Sequence, residues 1–431
     1  MYYLKMLICV VGLGKLGLPL SVQFASKGFS VTGLDVNPET VRLVNLGIEP
    51  FPGEEGLSDK LAEVINEGNF SATLDAQLAL VRADVIVVVV PLLIDKDFKP
   101  DFSLIDDATE KIGKYMKKGA LVVFETTLPV GTTRKRFLPI LEKASGFTGG
   151  SDFFLSFSPE RVLTGRVFSD LSKYPKLVGG INKKSACVAS EFYSSVIDFA
   201  ERAELKKKNG VWNLGSCETA EMVKLAETTY RDVNIALANQ FAIFARNEDI
   251  NIDDVIEAAN SQSYSKIHNP GISVGGHCIP VYPHLYLSND PNATLVSASR
   301  LQNSRMPFLA IQQICESLGN VTSLKCVIFG ISYRSGVKES AFSGSLDLLN
   351  LLTELGVSVF GHDLLYTNEE LSRLGFIPYE IGDPIDFAIV QNDSSIYQDL
   401  NQKVIPGCKL IYDGRRVLDR NLFPEMIFLS V

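Results

Sequence analysis

The run Met6-Leu7-Ile8-Cys9-Val10-Val11, followed at once by Gly12-Leu13-Gly14-Lys15-Leu16-Gly17, constrains the fold more than any other stretch of the chain. An apolar run this short reads as a buried parallel strand, and Leu18 to Ser26 reads as the helix that follows it. In such a unit the first glycine makes the turn. The second lets the backbone approach a pyrophosphate, and the third lets helix pack on strand. The helix N-terminus offers unpaired N–H groups to the phosphates. A second strand, Ser30 to Leu34, ends in Asp35. An acid there accepts hydrogen bonds from a ribose 2′-OH and repels a 2′-phosphate, which selects NAD over NADP. Gly12, Leu13, Gly14, Lys15, Leu16, Gly17 and Asp35 are therefore the predicted cofactor contacts.

Further strand-like runs lie at Val85 to Val90, Leu121 to Phe124 and Phe153 to Phe157, with helical stretches between. This alternation predicts a parallel sheet with ligands at the carboxyl ends of its strands. Two of those ends carry chemically useful residues, Glu125-Thr126-Thr127-Leu128-Pro129-Val130-Gly131-Thr132-Thr133 and Ser158-Pro159-Glu160-Arg161. Polar loops with caps account equally well for each taken singly.

Cys217 to about Glu248 has neither proline nor glycine and reads as one long helix; Asn251 to Asn260 reads as another, capped by Asn251. The long helix is apolar round most of its circumference, which predicts burial, including against a second subunit. Lys224, Thr228, Arg231 and Asn234 share one face and form either a solvent side or the wall of a polar site. After Leu301-Gln302-Asn303 a helix is expected to run to about Leu318. Beyond it a second alternating pattern begins, with strands at Leu324 to Phe329, Val357 to Phe360, Phe387 to Val390 and Leu410 to Tyr412, and a helix at Ser343 to Leu355. The basic loops Ser332 to Lys338 and Asp413 to Arg416 suit an anionic ligand there. The fold class is α/β: two Rossmann-like doubly wound domains joined by a long central helix and a small helical domain. The expected boundaries are 1–210, 211–318 and 319–431.

The net charge of −9 argues against a nucleic-acid partner. The longest apolar run, Val85 to Ile94, is about half of what a membrane helix needs. Met1-Tyr2-Tyr3-Leu4-Lys5 lacks the form of a signal peptide. Seven scattered cysteines without a Cys-x-x-Cys, and four histidines, predict neither a disulfide framework nor a metal site. Free thiols fit a cytoplasmic protein. One cysteine stands out, in Gly275-Gly276-His277-Cys278-Ile279-Pro280, where two glycines let a bulky group come close to a thiol.

Taken in order, these motifs resemble the UDP-glucose/GDP-mannose dehydrogenase family over essentially the whole chain. Gly12 to Pro19 looks like the family's N-terminal fingerprint, and Thr126-Thr127-Leu128-Pro129-Val130-Gly131-Thr132 like its threonine turn. The resemblance implies that Thr127 helps hold the catalytic water and borders the cofactor. It puts Glu160 on the catalytic glutamate, Lys224 on the catalytic lysine and Cys278 on the nucleophile. Tyr333-Arg334 falls where the family contacts the nucleotide of its substrate. Glu160, Arg161, Val162, Lys224, Thr228, Arg231, Asn234, Gly275, Tyr333 and Arg334 form the implied substrate set.

Pro159-Glu160-Arg161-Val162, Tyr230-Arg231-Asp232-Val233-Asn234 and Gly276-His277-Cys278-Ile279-Pro280 look like the branch that oxidises UDP-N-acetylhexosamines. Arg231 or Asn234 suits the acetamido group. Thr228 and Tyr282 depart from the family's usual asparagine and aspartate. Val90-Pro91-Leu92-Leu93 and Ala341 also depart from its pattern. The expected reaction is oxidation of a sugar C6 alcohol to a carboxylate with two NAD, through a cysteine thiohemiacetal and thioester, in a homodimer. A UDP-glucose dehydrogenase, a β-hydroxyacid dehydrogenase and a non-catalytic nucleotide-sugar-binding homologue are the alternatives.

Overall fold

The computed structural model describes residues 6–431, so the reading of Met1 to Lys5 lies outside the described residues. The chain divides into two units, one running to Ala226 and one from Glu227 to Val431, with the division inside the helix Cys217–Asn247.

The first unit is built on an eight-stranded sheet. Its strands are β1 (Leu7–Val11), β2 (Ser30–Leu34), β3 (Phe70–Thr73), β4 (Val85–Val88), β5 (Leu121–Phe124), β6 (Phe154–Phe157), β7 (Lys176–Gly180) and β8 (Val211–Ser216). They lie in the order β8-β7-β6-β5-β4-β1-β2-β3. β1 is central and pairs in parallel with both β2 and β4, so that Val10 lies opposite Gly33 on one side and Val87 on the other. The chain winds outward from β1 in both directions, and the order reverses at β1, where a ligand crevice opens in such sheets. Among the described residues of this sheet only the short β6–β7 pairing is antiparallel. The central strands are sequences such as VIVV and LVVF, buried on both faces, as helix-covered parallel sheets require. Leu18, Phe24, Val44, Leu61 and Phe192 close over them from the flanking helices.

The second unit carries a six-stranded sheet of β9 (Lys325–Phe329), β10 (Ser358–His362), β11 (Ile377–Pro378), β12 (Phe387–Val390), β13 (Leu410–Asp413) and β14 (Ile427–Ser430). Its order, β11-β10-β9-β12-β13-β14, repeats the outward winding, and every pairing is parallel. The helix Gly344–Glu354 starts on a Ser343 cap and is followed by Gly356 at a φ of 76°. The helix expected after Asn303 is Met306–Leu318, and a separate helix, Thr294–Ser304, precedes it. Pro307 explains the break: it lacks an N–H and suits only a first helical turn.

The long helix is buried on one side and exposed on another. Leu225, Ala238 and Ala242 are buried, but Tyr230, Leu237, Phe241 and Phe244 stand exposed. Among the described residues no helix is long and apolar enough to cross a membrane.

Candidate active site

In the first unit the glycine loop leaves β1 and enters the helix Gly17–Ser26. A Cβ on Gly17 would stand 1.8 Å from the Gly12 carbonyl oxygen, so only glycine closes this turn. A Cβ on Gly14 would meet nothing within 4 Å, which leaves the outer side of the loop open to a ligand. Leu13 is buried, with its side chain where a Cβ on Gly33 would otherwise sit. Its N–H donates to Asp35 Oδ2 at 2.7 Å, while Asp35 Oδ1 accepts from the Asn37 N–H at 2.8 Å. Asp35 thus stands at the end of β2, tied to the loop it is predicted to serve. Lys15 is exposed and Leu16 half-buried beside it. The open loop, the helix start and the acid together fit a dinucleotide.

The threonine turn leaves β5. Thr126 donates its hydroxyl to the Val90 carbonyl at 2.6 Å, and Thr127 is buried. Glu221, which sequence reasoning passed over, holds the far end of the turn. Its carboxylate accepts the Gly131 N–H at 2.5 Å, the Thr133 N–H at 2.9 Å and the Thr133 hydroxyl at 2.7 Å. Burial nevertheless pushes the Glu221 carboxyl up to about 7, against the pull of those three donors.

One turn along the helix from Glu221, Lys224 Nζ donates to the backbone carbonyl of Glu160 at 2.6 Å. The structure therefore brings two sequence-predicted residues together, through the main chain of one of them. The Glu160 side chain is turned into the protein. One oxygen accepts the Arg161 N–H at 2.7 Å and the other accepts Lys176 Nζ at 2.6 Å. Burial raises the Glu160 carboxyl, but the Lys176 ammonium outweighs it and the net shift is downward. Lys176 also donates to Glu125 at 2.7 Å, and Glu125 accepts the Tyr193 hydroxyl. Full burial pushes the Glu125 carboxyl up, and the neighbouring Glu160 adds to it. Arg161 and Val162 are half-buried next to this cluster in the chain.

In the second unit Thr228 is buried, Arg231 exposed and Asn234 committed on both sides of its amide. Asn234 donates to the Lys266 carbonyl at 2.8 Å and accepts the His268 N–H at 2.9 Å. Cys278 is exposed, on a loop braced against the segment after β9. A Cβ on Gly275 would come within 2.6 Å of Tyr333 Cβ, and one on Gly276, where φ is 88°, within 2.9 Å of its ring. The two glycines therefore let the thiol loop lie flat on Tyr333. His277 stands 3.5 Å from Glu339 and edge-on to Phe342. Arg334 donates to the Tyr333 hydroxyl at 3.0 Å.

Behind Cys278, buried Arg300 pairs with buried Asp232 at 2.7 Å, and Asn303 donates to the same carboxylate at 2.8 Å. The basic loops are less available than the sequence suggests. Lys338 pairs with Glu370 at 2.7 Å, and the Arg416 fork is spent on Asp253 and Asn251.

The profile of the UDP-glucose/GDP-mannose dehydrogenase family matches this chain in two parts, its NAD binding domain over residues 6–197 and its central domain over residues 218–305. The UDP-N-acetyl-D-mannosamine dehydrogenase of Pyrococcus horikoshii is 33% identical over 423 residues, covering 96% of each chain. The Escherichia coli protein of the same name is 31% identical over 366 residues, covering 80% of this chain and 82% of its own. The solved structure of the Pyrococcus horikoshii protein superposes with a TM-score of 0.86 over 99% of both chains. That of the UDP-N-acetyl-mannosamine dehydrogenase from Staphylococcus aureus does so with 0.82 at 30% identity, over 98% of both.

Proposed function

This chain belongs to the UDP-glucose/GDP-mannose dehydrogenase family, NAD-dependent oxidoreductases of nucleotide sugars, and from that premise we propose that it oxidises the C6 hydroxyl of UDP-N-acetyl-D-mannosamine to the carboxylate. The observation that carries the sugar assignment is the end-to-end likeness to relatives bearing that name. Bound NAD supplies the hydride acceptor at each of two oxidations, held by Gly12, Leu13, Gly14, Lys15, Leu16, Gly17 and Asp35, with Thr127 beside it.

Lys224 stabilises the charge on the sugar oxygen as the first C–H and O–H bonds break. The Cys278 sulfur then bonds to the aldehyde carbon, giving a thiohemiacetal whose oxyanion Lys224 again stabilises. Loss of a second hydride leaves a thioester. Water adds to the acyl carbon, the C–S bond breaks, and the thiol and carboxylic acid share the two protons of the water. Glu160, held ionised by Lys176, suits accepting a hydrogen bond from that water more than removing its proton outright; Thr127 supplies a second contact. Arg161, Val162, Thr228, Arg231 and Gly275 serve the sugar, Asn234 is spent on the Lys266 and His268 backbone, and Tyr333 and Arg334 serve the nucleotide. The exposed stripe of Tyr230, Leu237, Phe241 and Phe244 pairs two copies into a dimer. Seven free thiols suit the cytoplasm.

The test is NADH formation with UDP-N-acetylmannosamine, UDP-N-acetylglucosamine, UDP-N-acetylgalactosamine, UDP-glucose and GDP-mannose, counting NADH per sugar consumed. Two NADH per UDP-N-acetylmannosamine, with the others slower, is the expected result. One NADH per sugar would overturn the thioester route, and preference for another sugar would overturn the substrate.

A further inference from the structure

We propose that Lys176 is a positioning residue for Lys224, acting through Glu160. The inference rests on the reading of Lys224 given above, and its geometry is independent of the sugar. Lys176 opens β7, and its ammonium lies between two carboxylates, 2.7 Å from Glu125 and 2.6 Å from Glu160. The three side chains are 4%, 0% and 7% exposed, so water does not compete for these bonds. The second oxygen of Glu125 takes the Tyr193 hydroxyl, and that of Glu160 takes the Arg161 N–H. The Glu160 side chain is thereby fixed at both oxygens, while its carbonyl accepts the Lys224 ammonium.

The loop beyond is tethered in the same manner. The Leu163 N–H donates to Asp170, and the N–H groups of Gly165 and Val167 donate to buried Glu54. Carboxylates thus set the path of the chain from Glu160 to Val167, and Lys176 is the cation that keeps the first of them inside. Without it, Glu160 is a buried charge with no cation beside it, repelled besides by Glu125 where that carboxylate remains, and it lowers its energy by turning toward water. Its carbonyl moves with it, and Lys224 loses this acceptor.

Lys176→Met alone leaves two uncompensated carboxylates and can fail to fold. The double substitution Lys176→Gln/Glu125→Gln avoids this. Two carboxylates and one ammonium carry one net negative charge in the native cluster, and Glu160 alone carries one in the variant. The experiment compares the full-length wild type, this double variant and Lys176→Arg. It measures thermal melting, kcat and KM for UDP-N-acetylmannosamine and NAD, and acylation of Lys224 by acetic anhydride without substrate, read by peptide mass spectrometry.

The double variant is expected to melt cooperatively within about 5 °C of wild type. Its kcat falls about 10- to 100-fold with KM changed less than about threefold, because the contact acts on developing charge. Its Lys224 acylates at least about fivefold faster, and Lys176→Arg regains most of the lost kcat because its fork spans two carboxylates. A folded double variant whose kcat and Lys224 acylation stay within about twofold of wild type overturns the proposal, as does a fall in kcat with unchanged acylation. Faster acylation in an enzyme whose wild type oxidises none of the sugars upholds the positioning role and rejects the functional reading.

Discussion

Cys278 and Lys224 divide the proposed chemistry between covalent attachment and charge stabilisation, so their loss should read differently. Cys278→Ser is expected to abolish uronate formation, stalling at the aldehyde with one NADH per sugar or at a stable serine ester with two, as a single-turnover assay reads. Lys224→Ala is expected to keep the stoichiometry at two but lower kcat about 10²- to 10³-fold, the loss typical of a contact to a developing oxyanion. His284, near the nucleophile loop, gives a pH signature. Burial and then the Arg300 charge bring its pKa down to about 4. The unfolded chain takes up a proton near pH 6.5 and the folded chain only near 4, so stability falls as pH drops between those values. His284→Gln should flatten that slope in denaturant midpoints measured across pH 4 to 7.

At this scale the sequence reveals what is local: the glycine loop and Asp35 sit within one strand–helix–strand unit. The Lys176 cluster was not legible, because its members lie 16, 51 and 68 residues from their partners and only the sheet order gathers them.

Elements were legible where burial and periodicity agree. β2, β5 and β12 occupy the residues their apolar runs mark out. β7 and β8 went unread, since β7 ends in two glycines and β8 is a half-exposed edge strand after a lysine run. Met306–Leu318 forms where a helix was expected after Asn303, whereas the helix before it, Thr294–Ser304, went unread. Glu221 also escaped notice as one polar residue in a long helix, yet it docks the threonine turn onto that helix. Glu221→Ala strands two buried N–H groups and a hydroxyl, each costing about 1–3 kcal/mol when unsatisfied. Partial rehydration should leave a net loss of about 3 kcal/mol. Equilibrium denaturation with a probe on the first unit measures it, and a loss under about 1 kcal/mol would mean the turn holds itself.

For the whole molecule, alternation of strand and helix was enough to anticipate two doubly wound sheets, because each strand's neighbours follow from outward winding. The proposed dimer rests on the exposed stripe of the long helix. Tyr230 is 57% and Phe244 60% exposed, on one helix with exposed Leu237 and Phe241, and contiguous exposed apolar residues mark an interaction site. Leu237→Arg/Phe244→Arg should convert a dimer into a monomer at micromolar concentration, read by light scattering after gel filtration. A wild type that is monomeric at that concentration would refute the interface.

The central placement of the first strand in each sheet has a consequence in time. A nascent chain leaving the ribosome presents β1 long before β4 ends at Val88, so this apolar strand waits with one side unpaired. The same delay recurs at β9, which has its second neighbour only when β12 is complete at Val390. Parallel pairing of distant segments is slow and leaves such strands open to aggregation. Translation arrested between β1 and β4, or between β9 and β12, should therefore yield the chains most readily captured by chaperones. Arrest after β14 should yield the least.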